Sequence, residues 1–467
     1  MMFSKADLEE ILQVAQKGGD FAEIFLEEKR VTRIGCEDKK IERVIAGREE
    51  GAGIRVLKGE NTAYGYTNDL SKENLLKLAK RVSGAVCENP DASVVINSQK
   101  LPVPFPVEKR PDEVPISDKV ALVQVADEAA RSVDAKLVRQ VTVGYGDVVQ
   151  KVVIANTEGT FVEDERIRTR LAVNVVAADG GVIQTGFEAA GGTQGLELYE
   201  EETPWELGRK AANRAILMLK ARHAPAGRMP VVLSGEAGGT MIHEACGHGL
   251  EADLVQRKLS VYAGKKGEKV ASELVTVIDD ATLPGKYGSF RCDDEGNPAQ
   301  RTVLIENGVL QGYLYDHLTA RKDGVRPTGN GRRESYQHQP IPRMSNTFLA
   351  PGDASPEEII KETKKGLFVE KMGGGQVNTV NGDFVFEVTE GYLIEDGEVK
   401  APVRGATITG NGPEVLRRID MVGNDLGFAI GTCGKDGQGV PVSDAQPTIR
   451  IPELIVGGIL EKEGDQD

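Results

Sequence analysis

The sequence predicts an α+β fold in two parts. An N-terminal domain of helices on an antiparallel sheet covers residues 1–223, and a β-rich, barrel-like C-terminal domain over 224–467 carries one histidine-bearing helix. Three observations predict it. The first half runs through two cycles of an amphipathic helix followed by β-branched runs, the pattern of helices on one antiparallel sheet. The stretch His223-Ala224-Pro225-Ala226-Gly227 interrupts that pattern. Beyond Val275 the chain becomes short strands separated by glycine turns, as in a closed or nearly closed antiparallel structure.

In order along the chain, residues 5–17 place Leu8, Ile11, Leu12 and Ala15 at helical spacing behind Ser4, a good N-cap, and Gly18-Gly19 ends the helix. Five strands are expected at 21–28, 31–36, 41–46, 53–58 and 62–67, each bounded by Gly, Asp or charged residues. Helical period returns over 70–86, and the alternating prolines of 102–106 read as an extended connector. The second cycle has a helix at 118–133, strands at 138–144, 148–156, 160–165 and 167–176, and an amphipathic helix at 206–220. After the break come a buried strand at 229–233 and one helix over 234–256. Strands follow at 302–305, 309–315, 382–388, 390–394, 428–430 and 448–456, with a helix at 356–365 opened by Ser355 and an acidic tail, 461–467, expected to fray.

Composition narrows the function. A chain of 467 residues is too long for one core, and 40% hydrophobic with 28% charged residues is ordinary for a soluble protein. The net charge of -15 argues against a nucleic-acid partner. The start does not read as a signal peptide, and no apolar window is long enough for a membrane helix. Five widely spaced cysteines, Cys36, Cys87, Cys246, Cys292 and Cys433, fit free thiols in a reducing cytoplasm better than a disulfide framework. Neither Gly373-Gly374-Gly375 nor the loop 431–439 has the spacing of a phosphate cradle.

The chemistry concentrates in Gly238-Gly239-Thr240-Met241-Ile242-His243-Glu244-Ala245-Cys246-Gly247-His248. Only five histidines exist, and two of them lie in this run with a glutamate beside the first. Neutral imidazoles can hold a cation, and an adjacent carboxylate can take a proton from water, which is what metal-assisted hydrolysis needs. The spacing is five, not the four of HExxH. On a regular helix residues five apart point roughly 140° apart, so both rings cannot face one ion unless the helix bulges or breaks. Gly247 is where such a distortion is expected. Cys246, one turn from His243, is expected to pack, with ligation as the alternative. Glu251, three after His248, is expected as an acceptor for the second ring nitrogen, with ligation as the alternative. His223 and His317 carry no expectation of function.

The run 243–253 resembles the HExxxH helix of the TldD family of zinc metallopeptidases. Asp293-Asp294-Glu295-Gly296-Asn297-Pro298, the run 328–336 and Gly431-Thr432-Cys433-Gly434-Lys435-Asp436-Gly437-Gln438 resemble later segments of that family, in its order. The resemblance implies a Zn2+ held by His243, His248 and Cys433, with Glu244 as the catalytic base. It implies short or unfolded peptides as substrates, reached through a site enclosed between two subunits, so a homodimer or a heterodimer with a TldE/PmbA-like chain is expected. His338 and Tyr336, with Arg332 and Arg333 beside them, are candidates for oxyanion or substrate contacts. A non-catalytic peptide-binding subunit with a structural metal is the alternative, and a metal-dependent deacylase would use the same ligands.

Overall fold

The computed structural model of the chain describes residues 3–86 and 94–459. Cys87 and the acidic tail expected to fray lie outside the described residues. Ser4 closes a reciprocal capping box with Asp7 at the start of the helix Lys5–Gln16. Its Leu8, Ile11 and Leu12 pack with Leu75, Ala79 and Val82 of the helix Lys72–Gly84. In the same way Val123 and Ala126 of Ile116–Val133 meet Leu207 and Ala211 of Pro204–Lys220.

Both helix pairs lie on one antiparallel sheet. Its long strands are β1 (Phe21–Glu37), β2 (Lys40–Lys58), β3 (Asn61–Thr67), β4 (Val138–Asn156), β5 (Thr160–Asp179) and β6 (Val182–Gly192), in the spatial order β3-β2-β1-β4-β5-β6. The sequence divides β1, β2, β4 and β5 into pairs of shorter strands; the structure runs each through unbroken. The residues read as turns have other uses. Lys29 and Arg30 pair across β2 with Glu49 and Arg48, and Arg48 bridges Glu28 at 3.2 Å. Gly51 is mid-strand because a Cβ there would stand 2.2 Å from the Tyr336 ring.

The C-terminal half holds the strands β7 (Gly227–Leu233), β8 (Lys365–Val377), β9 (Asp383–Glu395), β10 (Thr407–Asn411), β11 (Gly427–Lys435), β12 (Gln438–Gln446) and β13 (Ile449–Gly457), divided between two sheets. Five of them close a barrel in the order β8-β7-β13-β10-β9, with β9 returning to β8. The pairing is antiparallel except between β7 and β8. The β11–β12 hairpin stands outside the barrel and joins Asn346–Leu349, Val277–Asp280 and Arg301–Glu306 in another sheet, with β11 on its outer edge. The expected strand at 309–315 shrinks to Val309–Leu310. The rest is diverted: Leu314 donates to the Leu250 carbonyl and accepts from Ala252, strapping the histidine segment in place. The expected helix at 356–365 stops at Lys361, because β8 begins at Lys365.

The two halves meet across the face of the first sheet that the helices leave free. Along β1, Ala22, Ile24 and Leu26 face the helices, while Phe21, Glu23, Phe25 and Glu27 face the C-terminal half. Glu23 accepts from Arg55 at 2.9 Å and from Arg333 at 2.6 Å, and Arg55 also reaches Glu295 at 2.5 Å. All are buried, so each charge is held by a partner and losing one would strand the others. Phe21 stacks on His317 with ring centroids 4.0 Å apart.

His317 makes this junction pH-sensitive. Burial, then the charge of Arg55, holds its imidazolium down to about 4 from an ordinary 6.5. Below pH 6.5 the unfolded chain takes up a proton that the native ring refuses, so stability falls as pH drops from 6.5 towards 4, by up to about 3 kcal/mol. Denaturation midpoints of the wild type and His317→Gln between pH 7 and 5 check this. The wild type should lose stability more steeply, by about one proton's worth, and parallel slopes would refute it.

Candidate metal centre

The segment after β7 does not form the single helix expected over 234–256. Gly235–Ala237 makes a tight turn, Thr240–Ile242 starts a helix, His243–Gly247 widens into a π turn, and His248–Leu250 tightens again before the short helix Ala252–Gln256. The π turn is the distortion that five-residue spacing demands. The His248 N–H donates to the His243 carbonyl, five residues back, and the widened turn swings His248 towards His243. Gly247 takes part differently from expectation. Its φ of -51° is available to any residue, but a Cβ there would lie 2.2 Å from Met344 Sδ, so the glycine permits close packing. Gly238 and Gly239 do need their freedom, at φ of 85° and 74°. A Cβ on Gly239 would meet the Ala445 nitrogen at 2.3 Å, so the helix start is seated directly on β12.

That seating brings distant residues together. His243 and His248 stand edge to face with ring centroids 4.9 Å apart. Cys433 on β11 places its sulfur 3.4 Å from His248 Nε2. One ligand atom from each of the three lies within 4.8 Å of the others, a separation that one ion can span at bond lengths of about 2.0–2.3 Å. Each imidazole has its other nitrogen engaged: His243 Nδ1 lies 2.6 Å from Asp444 Oδ1, and His248 Nδ1 3.0 Å from Glu251 Oε2. Both Nε2 atoms are thereby left to coordinate, and both rings are fixed in direction. Glu251 thus takes the orienting role expected of it. Cys246 points into the core, donates to the Ile242 carbonyl at 3.3 Å, and is pushed by burial up to about 12, so it behaves as a packing thiol.

The electrostatics suit a cation. Burial opposes a Cys433 thiolate, but hydrogen bonds from His243 and His248 overcome it and bring the thiol down to about 5. Burial also opposes a charged His248; Glu251 outweighs it and holds the ring up at about 9. The surroundings favour the charged form of each of the three groups, and a cation of the right size could take the place of the ring protons. Two nitrogens and a thiolate are a donor set that suits a metal such as zinc. Glu244 is half-buried beside His243, and burial pushes its carboxyl up against the pull of the two rings.

The other candidates are committed elsewhere. His338 Nδ1 lies 3.1 Å from Ser335 Oγ, and Tyr336 packs with Phe25 and Val152 against the N-terminal sheet; neither is hydrogen-bonded to the triad. Arg332 donates to the carbonyls of Met344 and Pro441, and Arg333 is paired with Glu23. Three residues of the site have no expectation attached in the sequence. Asp444 orients His243. Arg343, fully buried, donates to the Cys433 carbonyl. Lys435 ties β11 to the histidine segment through Glu251 at 3.1 Å and Asp253 at 2.6 Å. Lys435 lies in a run already singled out; nothing local marks Asp444 or Arg343.

Three family models match, described as PmbA/TldA metallopeptidase domain 1 over residues 22–86, the central domain over 109–219 and the C-terminal domain over 226–458. A protein of Methanothermobacter thermautotrophicus named a metalloprotease is 40% identical, over 94% of this chain and 96% of its own. A Haemophilus influenzae protein named a metalloprotease TldD homolog is 38% identical, over 94% of this chain and 93% of its own. Among solved structures, a Thermotoga maritima protein described as a modulator of a DNA gyrase superposes with a TM-score of 0.80 at 27% identity, over 97% of this chain and 99% of its own.

Gly239→Ala tests the seating. The new methyl meets β12 backbone, which cannot move aside, and the residue is forced to hold a left-handed φ. Overpacking and strain together should cost about 2–5 kcal/mol, read as a lower denaturation midpoint. Gly247→Ala should cost less, because flexible Met344 can yield. Equal, negligible losses would contradict this account.

Proposed function

The chain belongs to the PmbA/TldD metallopeptidase family, and from that premise we propose that it is a zinc-dependent peptidase acting on short or unfolded peptides. The observation that carries the reading is the convergence of His243, His248 and Cys433 within 4.8 Å, with Asp444 and Glu251 holding the two rings. The relatives named metalloproteases, nearly full-length matches, support it further. When bound, zinc supplies Lewis acidity, polarising the scissile carbonyl and acidifying water. Glu244 takes the proton from the attacking water and returns it to the leaving amine; a carboxyl raised by burial is suited to both halves of that task.

Substrate engagement follows from the topology. β11 is an outer strand and bears Cys433, so an extended peptide adding to its free edge lies beside the triad with main-chain recognition and little side-chain selectivity. The active unit in this reading contains two subunits of this fold, a second copy or a TldE-like chain, which keep folded proteins from the zinc. A fully active monomer in sedimentation would contradict that part. No helix among the described residues is long and apolar enough to cross a membrane. The free thiols at Cys36, Cys246, Cys292 and Cys433 support a cytoplasmic setting. A structural metal in a non-catalytic subunit would want four protein ligands, and the cluster among the described residues offers three.

Metal analysis and peptide hydrolysis on the purified chain and its variants test this. The wild type should hold about one zinc per chain. Glu244→Gln should keep the zinc and lose about 10²–10⁴-fold in rate. Cys433→Ala should lose the metal and Cys246→Ala should retain it. Near-normal activity in Glu244→Gln, or full zinc in Cys433→Ala, would overturn the assignment.

A further inference from the structure

A cavity of 570 Å³ opens between the first sheet and the C-terminal half. It is distinct from the metal triad. β11 turns Thr432 towards it, and the next side chain, Cys433, alternates to the other face. Its floor is a patch of sheet without side chains. Gly35 on β1 pairs with Gly144 on β4, and Gly146 shares their face. Glycine weakens a strand interior, so its presence needs a reason. None of the three has a positive φ. A Cβ on Gly144 would meet nothing within 4 Å, and on Gly35 or Gly146 nothing nearer than 3.8 Å. Neither the backbone nor packing within the chain calls for glycine there; space over the sheet does.

The walls are cationic. Arg168 and Arg170 alternate along β5, with Arg170 opposite Gly146, and Arg33 flanks the same glycine from β1. Arg332, 4% exposed, closes the far side. Arg168 donates to the carbonyls of Tyr287 and Ser289, and Arg332 to those of Met344 and Pro441, so neither has a carboxylate partner among the described residues. The Arg170 Nε is buried with no hydrogen-bond partner. Burial and a neighbouring guanidinium pull Arg168 down to about 10 and Arg332 to about 9, the mark of positive charge that the nearby carboxylates only partly offset. The carboxylates of the walls are engaged: Asp147 with Lys119, Asp294 with Arg166, Asp293 with the Glu295, Asn297 and Gly331 N–H groups, and Glu334 with the Gly439 N–H.

The spacing selects the ligand. Arg168 and Arg170 are two residues apart on an extended strand, roughly 6.6 Å. Acidic side chains on one face of an extended peptide repeat at the same interval. We propose that this cavity binds an extended acidic peptide segment, whose carboxylates pair with Arg33, Arg168 and Arg170 while its backbone lies over Gly35, Gly144 and Gly146. The site stands independently of what the metal centre does.

The test is fluorescence anisotropy of a labelled, C-terminally amidated Glu-Ala-Glu-Ala-Glu peptide with the full chain carrying Glu244→Gln, so that hydrolysis cannot consume the probe. Binding should be saturable and weakened by salt. Arg170→Gln, which breaks no hydrogen bond of the folded chain, should weaken it on the order of tenfold or more. Gly146→Leu should abolish it while leaving the melting temperature unchanged or raised. Absence of saturable binding would overturn the proposal. So would equal affinity in both variants, which would put the peptide elsewhere. Equal binding of Gln-Ala-Gln-Ala-Gln, or displacement by inorganic pyrophosphate at lower concentration than by unlabelled acidic peptide, would also overturn it.

Discussion

The site depends on one seating: the start of the histidine segment pressed against β12. Gly239 lies against the Ala445 backbone, and the neighbouring Asp444 takes His243 Nδ1 at 2.6 Å. From that contact the rest follows. His243 is fixed in place and direction. The π turn then brings His248 round, Glu251 fixes the second ring, and the hairpin that supplies Asp444 also supplies Cys433 from its other strand. Arg343 and Lys435 lock that strand to the same segment. A triad drawn from residues nearly two hundred positions apart is thus held by one hairpin docked on one helix start.

Much of this was legible in the sequence, for definable reasons. Period and cap together mark a helix such as Lys5–Gln16 behind Ser4. The need for a distortion between His243 and His248 followed from helical geometry alone, and the π turn meets it. Glycine is where the local pattern and the fold part company. Gly51 looks like a turn residue, yet sits mid-strand where Tyr336 comes too close for a side chain. Gly247 looks like a conformational hinge and is a packing gap. Sequence alone cannot distinguish a glycine that bends the chain from one that makes room. Asp444 was invisible because its role is set by strand register, which no local pattern encodes.

The junction between the halves combines buried charge with the apolar packing of Tyr336 on Phe25 and Val152. Glu23, Arg55, Arg333 and Glu295 form a network whose members are worth little individually against a hydrophobic replacement but are costly to break. Such a network fixes the relative placement of the two sheets. The arginines left outside it, above a floor of strand glycines, are the part of that surface the fold itself does not use.

The central claim is that two imidazoles and one thiolate, from His243, His248 and Cys433, hold a zinc with one position open. X-ray absorption on the zinc-loaded protein tests it most directly. The account predicts one sulfur at about 2.3 Å and two imidazole nitrogens at about 2.0–2.1 Å, with one further light atom completing four-coordination. A first shell without sulfur, or with two sulfurs, would contradict it.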